Sequence, residues 1–160
     1  MDCYSCRWEL DLPAAPEAEK VYVGSYWRVV HATRCPVPGW LIVLPRRHTT
    51  SIAEHTGAEA AELGQLLVAT SAAIQAHTGC AKTYVAQFAE AAGFSHTHFH
   101  VIPRSAELAA DRIGPAVFSY LQSPDADHLP PGRRNELALA LRPLIAAQVR
   151  RLAGPGGGPG

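Results

Sequence analysis

The stretch His96-Thr97-His98-Phe99-His100-Val101-Ile102-Pro103-Arg104 carries histidine at three alternate positions. On an extended strand, alternate side chains project to the same face and lie about 6.6 Å apart. The spacing therefore predicts that the three imidazoles line one side of a strand. A strand with a polar, solvent-facing side is the alternative interpretation. Three consecutive imidazoles on one face favour a chemical site, because imidazole is the side chain best suited to nucleophilic, proton-transfer and metal-binding roles near neutral pH.

The sequence on either side of this stretch predicts the remaining elements of one domain. In chain order they are strands at 20–25, 26–31 and 40–44, a helix from Thr56 to Gly79, strands at 83–88 and 98–104, and a helix at 135–152. Three strands before the first helix favour antiparallel pairing through short turns over repeated crossovers. The predicted fold class is α+β, and the apolar run at 40–44 fits a central strand buried on both faces.

Local signals predict where the helices begin and end. Thr56 and Glu59 have the spacing of a capping box, in which each side chain accepts a hydrogen bond from the backbone N–H of the other residue. Gly79 stands where the chain must turn left-handed to leave the first helix. Pro143 is expected to end or kink the C-terminal helix. The tail at 154–160 contains only glycine and proline and is predicted to be disordered.

Composition excludes several classes of function. The chain has 160 residues with 14 basic and 14 acidic side chains, so no overall charge favours binding to a nucleic-acid polymer or an anionic membrane. No apolar run approaches the roughly 20 residues of a membrane span, and the first residues lack the pattern of a signal peptide. The sequence therefore predicts a cytoplasmic protein. In that reducing compartment Cys3-x-x-Cys6 points to metal or redox chemistry, while Cys35 and Cys80 are expected to be inert thiols.

The alternating histidines and the Val101-Ile102-Pro103-Arg104 sequence after them resemble the defining motif of the histidine triad (HIT) family. The resemblance extends from Cys3 to Arg104 and implies a HIT-like antiparallel five-stranded sheet with one long helix, followed by a C-terminal helix. It divides the chain into a HIT core at 1–104, an extension at 105–153 packed on the same domain, and the tail. Members are typically homodimers that cleave nucleotides or dinucleotides at the α-phosphate or transfer the nucleotidyl group onward.

The resemblance also implies roles for individual residues. His98, the middle histidine, matches the nucleophile that becomes transiently nucleotidylated, a role that requires a second group to hold its other ring nitrogen. His100 matches the residue that hydrogen-bonds the phosphate on the leaving-group side. Gln87 and Ser95 are expected to bind substrate by donating hydrogen bonds to the phosphate oxygens.

A structural zinc ion is the predicted cofactor. Cys3 and Cys6 have zinc-ligand spacing but supply only half of a tetrahedral site. His48 and His96 match the remaining two ligands of zinc-bearing HIT proteins of the bacterial type and of the related galactose-phosphate uridylyltransferases. The alternative is a redox Cys-x-x-Cys, which is weaker because the pair opens the chain instead of following a strand and starting a helix.

Two other functions are left open by the sequence. His96 and His98 could bind a catalytic metal that activates water, or the chain could be a nucleotide-binding protein with little turnover. The second is favoured by one departure from the family pattern, since the segment 92–95 lacks a Gly-Gln-Ser/Thr set of phosphate donors, whereas the retained triad argues against it. The segment 30–33 also lacks an acid for the ribose, although His31 could make such a contact, and this departure leaves nucleotide recognition open. The sequence does not choose among dinucleoside polyphosphates, phosphoramidates and nucleotide sugars as substrates, or between water and another acceptor.

Overall fold

One antiparallel sheet with helices on one face forms the framework of the computed structural model, which describes residues 3–154. The elements are α1 (Tyr4–Leu10), β1 (Tyr22–Val23), β2 (Trp27–His31), β3 (Leu41–Pro45), α2 (Gly57–Thr78), β4 (Lys82–Ala86), β5 (Phe99–Arg104) and α3 (Pro131–Ala153). The strands lie in the order β1-β2-β3-β5-β4 and every neighbouring pair is antiparallel. The predicted α+β class and five-stranded antiparallel sheet are confirmed. The tail was predicted to be disordered, and its residues 155–160 lie outside the described residues.

The central strand β3 separates the two sides of the sheet. Leu41 and Val43 are fully buried in the core between the sheet and helices α2 and α3. Ile42 points to the opposite face, where it packs on a second apolar cluster. This alternation follows from the two-residue period of a strand. Ile42 pairs with His100 of β5, so the face that the helices leave uncovered carries a histidine.

The prediction that all three alternate histidines lie on one strand is wrong. Strand β5 begins at Phe99, and His96 and His98 precede it. The backbone N–H of Thr97 donates to the carbonyl of Thr49 in the loop after β3, at 2.8 Å. This segment therefore bonds to a loop instead of continuing the ladder with β3 and β4.

Helix α2 confirms the predicted end signals. The Thr56 hydroxyl accepts from the N–H of Glu59, and the Glu59 carboxylate accepts from the N–H of Thr56. At the other end Gly79 has φ of 68°, the left-handed conformation that a side chain disfavours. Leu63, Leu66 and Ile74 are the helix's large contributions to the core beneath β3.

Helix α3 packs beside α2 and continues through Pro143. Of the two predicted effects of Pro143, an end or a kink, the end does not occur, since the helix runs from Pro131 to Ala153. Pro143 and Leu139, the residue whose carbonyl loses its helical partner, are both exposed. Water can therefore hydrate that carbonyl, which reduces the cost of the missing hydrogen bond. No helix in the range 3–154 is long and apolar enough to cross a membrane.

A buried arginine attaches the short helix α1 to the sheet. Arg28 of β2 has no solvent exposure and donates to the carbonyls of Ser5 and Glu19 at 2.8 and 2.7 Å. Its guanidinium also forms ion pairs with the carboxylates of Glu9 and Glu19. Seven residues are too few for a helix to be stable alone, so these contacts account for its position. They place Cys3 and Cys6 against the segment that carries His96.

Candidate active site and metal centre

Four side chains from three parts of the chain converge at a possible metal centre. Cys3 caps α1, Cys6 lies in its first turn, His48 follows β3, and His96 precedes β5. Their ligand atoms all lie within 4.8 Å of one another. The Cys6 sulfur is 3.3 Å from His48 Nδ1 and 3.6 Å from His96 Nδ1, and the Cys3 sulfur is 3.6 Å from His96 Nδ1. Zn–S and Zn–N bonds at tetrahedral angles place sulfur and nitrogen about 3.6 Å apart, so the four groups could hold a zinc ion.

The orientation of His96 suits a metal ligand. Its Nε2 lies 2.8 Å from the carbonyl of Pro45, and because a carbonyl only accepts, Nε2 carries the proton and donates. In the neutral ring Nδ1 is then unprotonated and faces both thiols. Burial lowers the pKa of His96 to about 4, which keeps the ring neutral. A second ring nitrogen held by a carbonyl is the usual support of a metal-binding histidine.

The position of the two cysteines corrects one step of the sequence interpretation. The pair does begin a helix, α1, so its place in the chain does not argue against redox chemistry. The argument for a metal comes instead from the two histidine nitrogens beside the sulfurs. Burial, and then the neighbouring thiol of Cys3, raise the pKa of Cys6 to about 11, so a metal ion must displace a proton there.

His98 points away from this cluster and into a cavity. Its Nδ1 lies 2.7 Å from the backbone carbonyl of His96, so Nδ1 carries the proton and donates to that carbonyl. Burial lowers the pKa of His98 below that of an ordinary histidine. In the neutral ring Nε2 is therefore unprotonated, and it is the nitrogen free to attack. No other residue within 3–154 is needed to set this tautomer.

His100 has the opposite tautomer. The indole N–H of Trp40 donates to His100 Nδ1 at 3.0 Å, and since an indole nitrogen can only donate, Nδ1 accepts and Nε2 carries the proton. Burial, and then His98, lower the pKa of His100 to about 3. The two rings lie with centroids 4.8 Å apart. The pair thus offers one unprotonated Nε2 and one Nε2–H donor without a charge on either ring.

Both histidines line a cavity of about 340 Å³ with mostly apolar walls. The loop after β2, the loop before β5 and a 3-10 helix at Gly114–Gln122 form its walls. The charged lining residues are Arg34 and Glu90, which the sequence did not single out. Arg34 is exposed and has no hydrogen bond or ion pair to any residue in the range 3–154. Only the folded chain brings these two residues near the histidines, so no sequence spacing could have found them.

Comparisons with known proteins identify the family. The HIT domain matches residues 15–107, more than half of the chain. The chain belongs to the HIT family. Its members are generally hydrolases or transferases, and the fold is the nucleotide-binding and hydrolase fold of that family. No curated protein matches this HIT protein significantly.

Solved structures share the fold over most of their length. A Zn-bound histidine triad family protein from Mycobacterium smegmatis is 19% identical with a TM-score of 0.63, and the alignment covers 91% of this chain and 94% of that one. A hypothetical histidine triad nucleotide-binding protein from Sulfolobus tokodaii is 16% identical with a TM-score of 0.63, and the alignment covers 97% of both chains. A histidine triad protein from Bradyrhizobium japonicum is 23% identical with a TM-score of 0.65, covering 79% and 89%.

The other residues predicted to bind substrate in this HIT protein lie outside the cavity wall. Gln87 follows β4 and is half-buried, while Ser95 is exposed; neither lines the cavity that contains His98 and His100. His31 is not available for a ligand, because its Nδ1 donates to the carbonyl of Ala32 and its Nε2 accepts from the N–H of Gly39. Both of its nitrogens therefore serve the fold.

The geometry separates the possible metal centre from His98. Among residues 3–154, the histidine and cysteine cluster that could hold a metal contains His96 and does not contain His98. A catalytic metal held by both histidines requires their nitrogens to converge, whereas His98 Nδ1 is bonded to a carbonyl and its ring lines the cavity. The arrangement favours nucleophilic chemistry at His98 over metal-activated water.

Proposed function

We propose that this HIT protein is a nucleotidyl hydrolase or transferase in which His98 Nε2 attacks the α-phosphorus of a nucleotide or nucleotide conjugate. A nitrogen–phosphorus bond forms, the bond from phosphorus to the leaving group breaks with its electron pair, and water or another acceptor then displaces the nucleotidyl group from His98. The observation that carries the proposal is the hydrogen bond from His98 Nδ1 to the carbonyl of His96. It leaves the lone pair of Nε2 in a cavity, which is what nucleophilic catalysis by imidazole needs.

His100 complements the attack by donating from Nε2. A neutral donor held in place beforehand stabilises the charge that develops on the phosphate oxygens without a reorganisation cost. Arg34 supplies a positive charge at the same cavity. Gln87 and Ser95 are not needed for this mechanism, and their contact with the phosphate stays a prediction.

A structural zinc ion at Cys3, Cys6, His48 and His96 is the second part of the proposal. These four side chains would supply a complete set of four protein ligands to zinc, a number that suits a structural role. Ligands from α1 and from the segment before β5 would then be tied together, which would help to hold the carbonyl of His96 on which His98 depends.

The covalent intermediate provides the direct test. The full chain is mixed with adenosine 5′-phosphoramidate, diadenosine triphosphate or a nucleotide sugar. The reaction is quenched rapidly without acid, and the protein is analysed by intact-mass spectrometry. We expect a nucleotidyl adduct that maps to His98 and is absent from His98→Asn. Because an essential nucleophile is lost, turnover of that variant should fall by about three orders of magnitude or more, while ligand binding survives. His98→Asn with near-normal turnover contradicts the proposal.

A nucleotide-binding protein with little turnover is the second candidate, and one observation favours it. The cavity wall is mostly apolar and the predicted donors Gln87 and Ser95 lie outside it. Binding of AMP to the parent protein, together with the absence of any adduct across the three substrate types, identifies this function instead.

A further inference from the structure

The cavity is completed by a part of the chain beyond the HIT domain. The domain match ends at residue 107, whereas the 3-10 helix Gly114–Gln122 contributes Phe118 and Leu121 to the cavity wall. This cavity segment, residues 114–122, has no counterpart among the residues that the family motif identifies. The domain match therefore assigns no role to its side chains.

The cavity segment is firmly attached to the sheet. Val117 is 1% exposed and packs in the second apolar cluster with Trp40 and Ile102. The backbone N–H of Gly114 donates to the hydroxyl of Tyr84 in β4 at 3.2 Å. Because the neighbouring Val117 is buried, the position of Phe118 is fixed, and its side chain forms a rigid part of the cavity wall.

Phe118 makes edge-to-face contacts with three aromatic rings at the site. Its ring centroid is 5.0 Å from His100, 5.5 Å from Trp40 and 5.2 Å from Phe88. These are favourable distances for aromatic pairs. The ring thus lies beside the imidazole that donates to phosphate, and it links that imidazole to the opposite loop of the cavity.

Few side chains in the cavity wall could form a polar contact with a ligand. Arg34 and Glu90 carry opposite charges, and the remaining lining side chains are largely apolar or aromatic. Such a wall recognises an apolar ring, because an aromatic face buries area without needing hydrogen bonds. A phosphate at His98 and His100 places the adjoining part of the substrate against this wall.

We propose that Phe118 is a specificity-determining residue that binds an aromatic ring of the phosphorylated substrate. The ring belongs either to the nucleobase or to the leaving group, and both present the same flat, apolar surface. This role rests on the proposed function only in requiring a phosphorylated ligand in the cavity, and it does not require the covalent step.

Two pairs of ligands distinguish the sources of the ring by titration calorimetry. AMP and ribose 5-phosphate differ by the nucleobase and are bound to the parent chain. Adenosine 5′-phosphoramidate and its N-phenyl derivative differ by an aromatic leaving group and are bound in the His98→Asn background, where they are not consumed. In one pair, Phe118→Ala should weaken the ligand that carries the additional ring about tenfold relative to its partner, which is the scale set by an apolar group in a pocket.

Matched variants separate recognition from folding. Ile113→Ala removes a half-exposed side chain beside the cavity segment that does not line the cavity, and it should leave all four affinities unchanged. Phe118→Leu retains apolar volume without the ring and should give an intermediate loss if Phe118→Ala is too unstable to measure. If Phe118→Ala affects the two ligands equally within both pairs, or affects none of them, the role of Phe118 is overturned. A normal Phe118 effect without any His98 adduct rejects the chemistry and leaves this role intact.

Discussion

At the scale of single residues, the indole of Trp40 determines which nitrogen of His100 carries the proton. Trp40→Phe removes the N–H that donates to His100 Nδ1, so His100 can adopt the tautomer that lacks an Nε2–H donor. We expect turnover to fall by about three- to tenfold, the equivalent of one hydrogen bond, with a smaller change in KM. Nitrogen NMR shifts of His100 report the tautomer directly.

Trp27→Phe is the matched control for Trp40→Phe. Trp27 is equally buried, and its indole donates to the carbonyl of Glu59 away from the cavity. The same loss of volume should therefore lower the melting temperature without altering the His100 signals. If both variants slow turnover equally, packing and not the tautomer accounts for the effect.

His31 makes stability depend on pH. Burial lowers the pKa of His31 to about 4, whereas in the unfolded chain it is close to 6.5. Between these values the unfolded state binds the extra proton, so the stabilisation is present above pH 6.5 and is lost as the pH falls towards 4. Across this window we expect a loss on the order of 3 kcal/mol in the free energy of unfolding.

Urea denaturation at several pH values measures the contribution of His31. His31→Gln should reduce the decline between pH 6.5 and 4, and the part that remains is expected because burial also lowers the pKa of His96 and His100. His77→Gln should leave the decline unchanged because His77 is exposed at the end of α2. Identical slopes for the parent protein and His31→Gln would show that His31 does not cause the decline.

At the scale of elements, α1 connects the predicted zinc ion to the stability of the fold. One zinc per chain is expected by elemental analysis, and a chelator should lower the melting temperature because metal binding is coupled to folding. Cys6→Ser should reproduce that loss. Cys80→Ala removes a thiol that lies outside the cluster and should retain the metal. A metal-free parent protein with unchanged stability contradicts the zinc site.

The sequence predicted those elements whose signals are local. The capping box at Thr56 and the glycine at 79 predicted both ends of α2, and the apolar run at 40–44 predicted the central strand. Helix α1 was missed because seven residues carry too little periodicity, and its position depends on Arg28 of a distant strand. The early start assigned to β5 failed for a related reason, since the bond between Thr97 and Thr49 joins residues far apart in the chain.

The candidate site was predictable to the extent that it follows from a motif. The sequence identified the two cysteines and the alternating histidines, and the structure brings Cys3, Cys6, His48 and His96 together. It could not identify Arg34 or Phe118, because each reaches the cavity from a segment whose sequence has no pattern linked to the histidines. Tautomers were equally inaccessible, since they depend on Trp40 and on backbone carbonyls.

At the scale of the whole molecule, the two edges of the sheet differ in a way that supports a homodimer. The β1 edge has two residues, a length that limits pairing, whereas β4 has five and exposes 49% of Val85. We therefore predict a dimer formed through β4. Sedimentation should give twice the mass of one chain at micromolar concentration, and a mass of one chain throughout contradicts the prediction.

Charge substitutions on the two edges test which of them pairs. Val85→Lys places two ammonium groups close together across a two-fold axis at β4 and should shift the mass towards that of one chain. Val23→Lys makes the same change on β1, where 39% of the side chain is exposed, and should leave the dimer intact. The reverse result assigns the interface to β1.

The acceptor that orients His98 is a main-chain carbonyl, that of His96. Every amino acid supplies this atom, so a mutational scan that replaces the side chain at 96 removes the proposed metal ligand and leaves the acceptor in place. Sequence profiles do not detect this carbonyl either, because they record side chains and not the direction of a peptide plane. The chemical competence of His98 is thus encoded in the path of the backbone through 96–98, and a design that transplants only the triad side chains would lose it.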